Sequence, residues 1–169
     1  GMHIERIVLM GGAIAEGNVT PAAEFNIWAD PEAAARVFAS GVDLTMVGLD
    51  VTHEAIVGPE RVERIRRMGR VGKVVAEWLD FYSGYHRETY GWNGPPVHDA
   101  LAVASVIRPE LLETAHRRVV VDTESELCRG RTVVDLYPRA ASTPNAHVAV
   151  GVDAAAFLDL LEGRIALLK

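Results

Sequence analysis

The chain has 169 residues, 49% of them hydrophobic and 24% charged, which suffices for one ordinary core and is short for two comfortable domains, so one compact domain is expected. A formal net charge of -6 excludes a general nucleic-acid binder, because phosphate affinity comes from clustered Lys and Arg. Cys128 is the only cysteine, which excludes an intrachain disulfide and a structural zinc cluster and leaves a buried, inert thiol as the expectation.

Gly1 ahead of Met2 reads as the scar of an expression tag, with Met2 the start of the encoded chain. The apolar run Ile7-Val8-Leu9-Met10, stopped by Gly11-Gly12, predicts a buried strand ending in a sharp loop. The carboxyl end of such a strand is where α/β proteins place ligands. Residues 13–29 carry glycine, proline and polar residues without a clean period. Asp30-Pro31-Glu32 then opens a helix with a cap and a proline at its first position, ending at Gly41. Asp43 to Leu49 predicts a second strand covered on both faces, joined to the first by a parallel crossover.

After a predicted loop Asp50-Val51-Thr52-His53, Pro59 begins a helix to about Met68. A longer helix from Val71 to about Tyr90 keeps an apolar stripe at helical spacing through Val74, Val75, Trp78, Leu79 and Tyr82. Arg61, Arg64, Arg66, Arg67, Arg70 and Lys73 scatter around these helices with Val62 and Ile65 between them, the pattern of a solvated face. A loop from Gly91 to Val97 precedes a helix from His98 to Ile107, stopped by Arg108-Pro109. Three strands follow at Val119–Asp122, Thr132–Tyr137 and His147–Val150, and Asp153 caps a last amphipathic helix through Leu167. No apolar run approaches the roughly eighteen residues of a membrane span and nothing resembles a signal peptide, so a soluble, cytoplasmic protein is expected.

Two clusters carry chemistry. In the first, the Met10-Gly11-Gly12 loop lets backbone and ligand approach closely, while Asn18, Glu24 and Asn26 add two amides and a carboxylate, a set suited to a polyhydroxyl ligand such as a sugar. Asparagines in loops equally serve to hold turns through side-chain to backbone bonds. In the second, His98-Asp99 stands at a helix start after Gly94-Pro95-Pro96-Val97. An aspartate there is ordinarily a cap. Beside a histidine it also makes an acid and ligand pair, the imidazole able to protonate a leaving nitrogen and the carboxylate to bind a hard cation or a hydroxyl.

The ordered pieces MGGA, GN, TP, AEFN and DPEAA, then DVTH, then PPVHDALAVA resemble the inosine and uridine preferring nucleoside hydrolase family from Ile7 to about Ile107. The remaining residues suit that family's closing strands and helix. The resemblance implies an α/β fold with a Rossmann-like, open, mostly parallel sheet and flanking helices, incomplete relative to the family, plus C-terminal strands and a helix. It implies hydrolysis of the N-glycosidic bond of purine or pyrimidine ribonucleosides, with a calcium ion holding the nucleophilic water beside an oxocarbenium-like ribose. On that pattern Asp99 is a calcium ligand that also touches a ribose hydroxyl, Asn18, Glu24 and Asn26 hold the sugar's hydroxyl groups, and Met10 lines the floor. His98 sits near the leaving base as its general acid or the support of one. Tyr82, Tyr85 and His86 fall where the family places residues around the base, although core packing accounts for Tyr82 equally well. His53 is given only a structural role.

The family's opening aspartate cluster, DxDxxxDD, supplies most calcium ligands and the base that activates water, and this sequence contains none. Asp43, Asp50, Asp80, Asp122, Asp135, Asp153 and Asp159 are isolated from one another. The chain therefore resembles the C-terminal portion of such an enzyme. Weak or absent calcium binding, little activity alone, and association with a second copy or a complementary N-terminal fragment are expected. The alternative is a non-catalytic remnant that binds a ribose-like ligand or acts as an interaction module.

Overall fold

The computed structural model describes residues 4–137, 139 and 143–168. Gly1 and Met2, read above as tag scar and start, lie outside the described residues. The chain divides into two compact units, one made of residues up to Val51 together with Leu112–Val152, the other of Thr52–Leu111 with the segment from Asp153 onward.

In the first unit, strands β1 (Arg6–Met10) and β2 (Asp43–Val47) are parallel neighbours, with Met10 opposite Val47. Helices α1 (Phe25–Ala29) and α2 (Pro31–Phe38) form part of the crossover between them. Asp30 caps α2 by accepting from the Ala33 N–H at 2.9 Å, and Pro31 needs no acceptor for a missing N–H. A four-residue helix α3 (Leu49–Thr52) follows β2 directly. Strands β3 (Leu112–Arg117), β4 (Val119–Val121), β5 (Thr132–Val134) and β6 (Ala146–Val152) come later in the chain. The main sheet has the order β1-β2-β6-β3, parallel except for the antiparallel edge strand β3, while β4 and β5 make a separate antiparallel pair. Ile27, Phe38, Leu44, Met46, Val121 and Val148 form the heart of the core. The apolar β1 and β2 runs thus end side by side, and both lead into glycines at the carboxyl end of a parallel sheet.

The second unit is helical: α4 (Pro59–Arg66), α5 (Gly69–Tyr90), α6 (His98–Ile107), a 3-10 turn at Pro109–Leu111, and α7 (Ala154–Ile165). Gly91 ends α5 at a φ of 69°, and Asp153 caps α7 through the Ala156 N–H at 2.9 Å. The basic stretch is a solvated, ion-paired face: Arg61 meets Asp159 and Glu162, and Arg66 meets Glu63 and Asp80. Among the described residues no helix is long and apolar enough to cross a membrane.

Several sequence expectations need correction. Residues 49–52 are helical where a strand end and a loop are predicted, because Gly48 breaks the apolar run and the Val51 N–H returns to the Gly48 carbonyl at 3.3 Å. Strand β3 is missing from the prediction because LETAHR has neither apolar run nor alternation; it pairs on one side only, with β6. The predicted stripe of α5 is buried only in part. Leu79 is covered together with Gly72, Ala76 and His86, whereas Val74, Trp78 and Tyr82 are exposed. Cys128 is partly exposed rather than buried.

Candidate active site

The loop after β1 is built from its backbone outward. Successive N–H groups from Gly11 to Ala15 all have named acceptors. Gly11 donates to the Val47 carbonyl at 3.2 Å, Gly12 to Glu24 Oε2 at 2.9 Å, and Ala13 to Thr132 Oγ1 at 2.9 Å. Ile14 and Ala15 donate to the two oxygens of Asp50 at 2.6 and 3.0 Å. Gly12 has a φ of +75°, and a Cβ there would stand 2.9 Å from the Thr132 side chain. Only glycine satisfies both the backbone and the space. The loop is held in one shape by groups drawn from four parts of the first unit.

The predicted sugar-binding residues follow this loop: Asn18 precedes α1, Glu24 caps it and Asn26 lies in its first turn. Glu24 is 2% exposed; its carboxylate caps α1 through the Asn26 N–H at 2.9 Å and the Ile27 N–H at 3.3 Å, besides holding Gly12. Asn26 is exposed and its Nδ2 donates to the carbonyl oxygen and the Sδ of Met10, both at 3.2 Å. Asn18 is exposed, and its Oδ1 accepts from the Phe25 N–H at 2.9 Å. Turn-holding is thus real for each, and it leaves Asn18 Nδ2 and Asn26 Oδ1 as a donor and an acceptor without a partner among the described residues.

The other predicted residues lie in the second unit, in a run of rings. His86 is 3% exposed on α5, edge-on to Tyr82 with centroids at 4.4 Å and stacked on Trp92 at 5.7 Å. Its Nδ1 lies 3.0 Å from the Tyr82 carbonyl, so that nitrogen carries the proton. Trp92 meets His53 at 4.8 Å, and His53 meets His98 at 5.6 Å. His98 begins α6 and its Nδ1 lies 2.7 Å from the Thr52 hydroxyl. Burial, then the neighbouring His53 and His86, push His98 down to about 4. The imidazole is therefore neutral at pH 7, offering an N–H rather than a cationic acid.

Asp99 is exposed in the first turn of α6 and is not its cap; that position is held by Val97, with no side-chain cap bond. It acts on its surroundings as a charge: burial first, then Asp99 and Tyr85, raise the Tyr82 hydroxyl. Calcium takes six to eight oxygens. Among the described residues no group of three or more His, Cys, Asp or Glu side chains is placed to hold an ion, so Asp99 and its neighbours do not by themselves fit that metal.

The model of the family described as inosine-uridine preferring nucleoside hydrolase matches residues 1–159. The chain belongs to that family. The pyrimidine-specific ribonucleoside hydrolase RihA of Citrobacter koseri is 50% identical over 165 residues, 96% of this chain and 53% of its own length. Its counterpart in Klebsiella pneumoniae is 48% identical over the same shares. The solved structure of a purine-preferring ribonucleoside hydrolase from Gardnerella vaginalis superposes with a TM-score of 0.88 at 38% identity, covering 96% of this chain and 52% of that one. A plant nucleoside hydrolase gives a TM-score of 0.87 at 32% identity, covering 95% and 53%. The chain spans about half the length of the curated relatives it matches.

The α/β class and the mostly parallel sheet inferred from the sequence are those of these relatives. Asp50, Thr132, Thr52 and Trp92 have structural parts that sequence reading missed. Only Trp92, a tryptophan beside the glycine that ends a helix, carries a local signal.

Proposed function

We propose that this chain supplies the ribose-binding wall and the leaving-group side of a nucleoside N-ribohydrolase, as the C-terminal part of such an enzyme. What carries this is the glycine loop, every N–H of which from Gly11 to Ala15 is tied down, presenting Asn18 and Asn26 with one amide atom each left free. Asn18 Nδ2 donates to one sugar hydroxyl and Asn26 Oδ1 accepts from another. Glu24, buried, contributes through the shape it gives the loop by holding the Gly12 N–H, and Met10 forms the floor against which Asn26 is held. Such fixed positioning is how a site holds a substrate near its reacting geometry.

In this reading His98 serves the leaving base and, being neutral, assists departure by hydrogen bonding from the ring rather than by releasing a proton it already carries as a cation. Tyr82 and His86 border the base. Asp99 is the carboxylate assigned to calcium and to a ribose hydroxyl, and the described residues alone do not complete a calcium site around it. Trp78 and Phe81, 69% and 88% exposed on α5, support association with a complementary fragment or a second copy in a cytoplasmic setting.

The test is turnover of inosine, uridine and a nitrophenyl riboside by the chain alone, with and without added calcium. Little or no turnover is expected. Metal-dependent hydrolysis at the rates of complete enzymes overturns the division of labour. A second reading, a ribose-binding module without catalysis, is favoured by the fact that Glu24, Thr132 and Asp50 of this chain already set the shape of the loop. It predicts that supplying the complementary part restores no hydrolysis.

A further inference from the structure

Thr52, the last residue of α3, is fully buried, and its hydroxyl lies 2.7 Å from His98 Nδ1. Among the described residues that is the only side-chain hydrogen bond of Thr52. A hydroxyl has one proton to give, and a buried donor left without an acceptor costs about 1–3 kcal/mol. If His98 Nδ1 carried the proton and gave it to Oγ1, the Thr52 hydroxyl proton would have no acceptor. The opposite arrangement satisfies both groups.

We propose that Thr52 is a positioning residue for His98: its hydroxyl donates to Nδ1, fixes the ring as the Nε2–H tautomer, and so leaves Nε2–H as the donor that faces the leaving group. The last clause rests on the leaving-group role proposed above; the tautomer does not. His86 in the same run of rings has the reverse arrangement, because its Nδ1 faces the Tyr82 carbonyl and must donate. Two histidines linked by Trp92 and His53 thus hold their protons on opposite nitrogens.

Long-range 1H–15N correlation of the imidazole rings in the labelled chain at pH 7 reads this without substrate or metal. The expected result is a bare Nδ1 and a protonated Nε2 for His98, with the inverse for His86. Thr52→Val removes the donor, and the His98 nitrogens should move toward an average of the two tautomers; Thr52→Ser should restore the wild-type pattern. A protonated Nδ1 on His98 in the wild-type chain overturns the proposal, as does a His98 pattern unchanged in Thr52→Val. Should that variant not fold, the wild-type tautomer decides. In an active enzyme containing this chain, Thr52→Val should lower kcat for inosine about tenfold and spare a nitrophenyl riboside, whose leaving group needs no proton. Equal slowing of both substrates removes the leaving-group role of His98 while the ring spectra still judge Thr52.

Discussion

Thr132 satisfies both backbone groups of Ala13 with one hydroxyl, accepting from its N–H at 2.9 Å and donating to its carbonyl at 2.7 Å across 119 residues of chain. A residue of β5 thereby fixes the loop that follows β1. Both bonds are buried, so their loss is not made good by water.

Replacing Thr132 with Val keeps the shape and removes both bonds. A loss of about 2–3 kcal/mol in unfolding free energy is expected, because a buried N–H and a buried C=O are left unsatisfied. Thr132→Ser should cost less than about 1.5 kcal/mol, since it keeps the hydroxyl and loses one methyl. Urea unfolding of the two variants checks the order; a larger loss in Thr132→Ser than in Thr132→Val would show that the methyl, not the hydroxyl, matters.

Gly12→Ala should destabilise by about 1–3 kcal/mol, since an alanine at a φ of +75° is strained and its Cβ would stand 2.9 Å from Thr132. Thermal melting measures this. Combining it with Thr132→Ala opens the space but not the backbone, so the double variant should lose less than the sum of the two single losses.

Asp50 holds two successive loop amides with its two oxygens. In Asp50→Asn the amide oxygen retains one and the NH2 group faces the other. Hydrogen exchange at Ile14 and Ala15 should quicken at least tenfold, about 1.4 kcal/mol of local opening, with little change at β2. Uniform acceleration across the sheet would mean that Asp50 supports the whole unit rather than the loop.

His98 makes stability depend on pH. Its folded value of about 4 lies below the ordinary imidazole value of 6.5, so the unfolded chain takes up the proton first. The contribution is fully present above pH 6.5 and is lost as pH falls toward 4. Urea unfolding at pH 7 and pH 4.5 should show a larger loss for the wild type than for His98→Asn, which has no imidazole to protonate. Equal losses contradict the burial of a neutral ring.

How much of this was legible depends on the distance over which each residue acts. The run ending at Met10, the start of β2 at Asp43, the Asp30 and Asp153 caps, and the start of α6 at His98 follow from neighbours a few residues away, and they are where the sequence puts them. Asn18, Glu24 and Asn26 are readable as one loop set for the same reason. Asp50, Thr52 and Thr132 act across 36, 46 and 119 residues, and nothing local marks them. Periodicity also fails to say which apolar face is covered: α5 repeats its apolar residues at helical spacing, yet covers Leu79 and leaves Trp78 and Phe81 exposed. Strand β3 owes its conformation to the pairing groups of β6 and not to its own polar side chains.

The most direct test of the ribose wall is a titration of the 15N-labelled chain with ribose, read at the side-chain NH2 resonances of Asn18 and Asn26. A saturable shift confined to these groups and the Gly11–Ala15 amides is expected, with a Kd on the order of 1–10 mM, as suits a few hydrogen bonds without a metal. Asn26→Ala should abolish the response at the loop. No shift at either amide at about 100 mM ribose, about tenfold above the top of that range, would contradict the assignment of this loop to sugar binding.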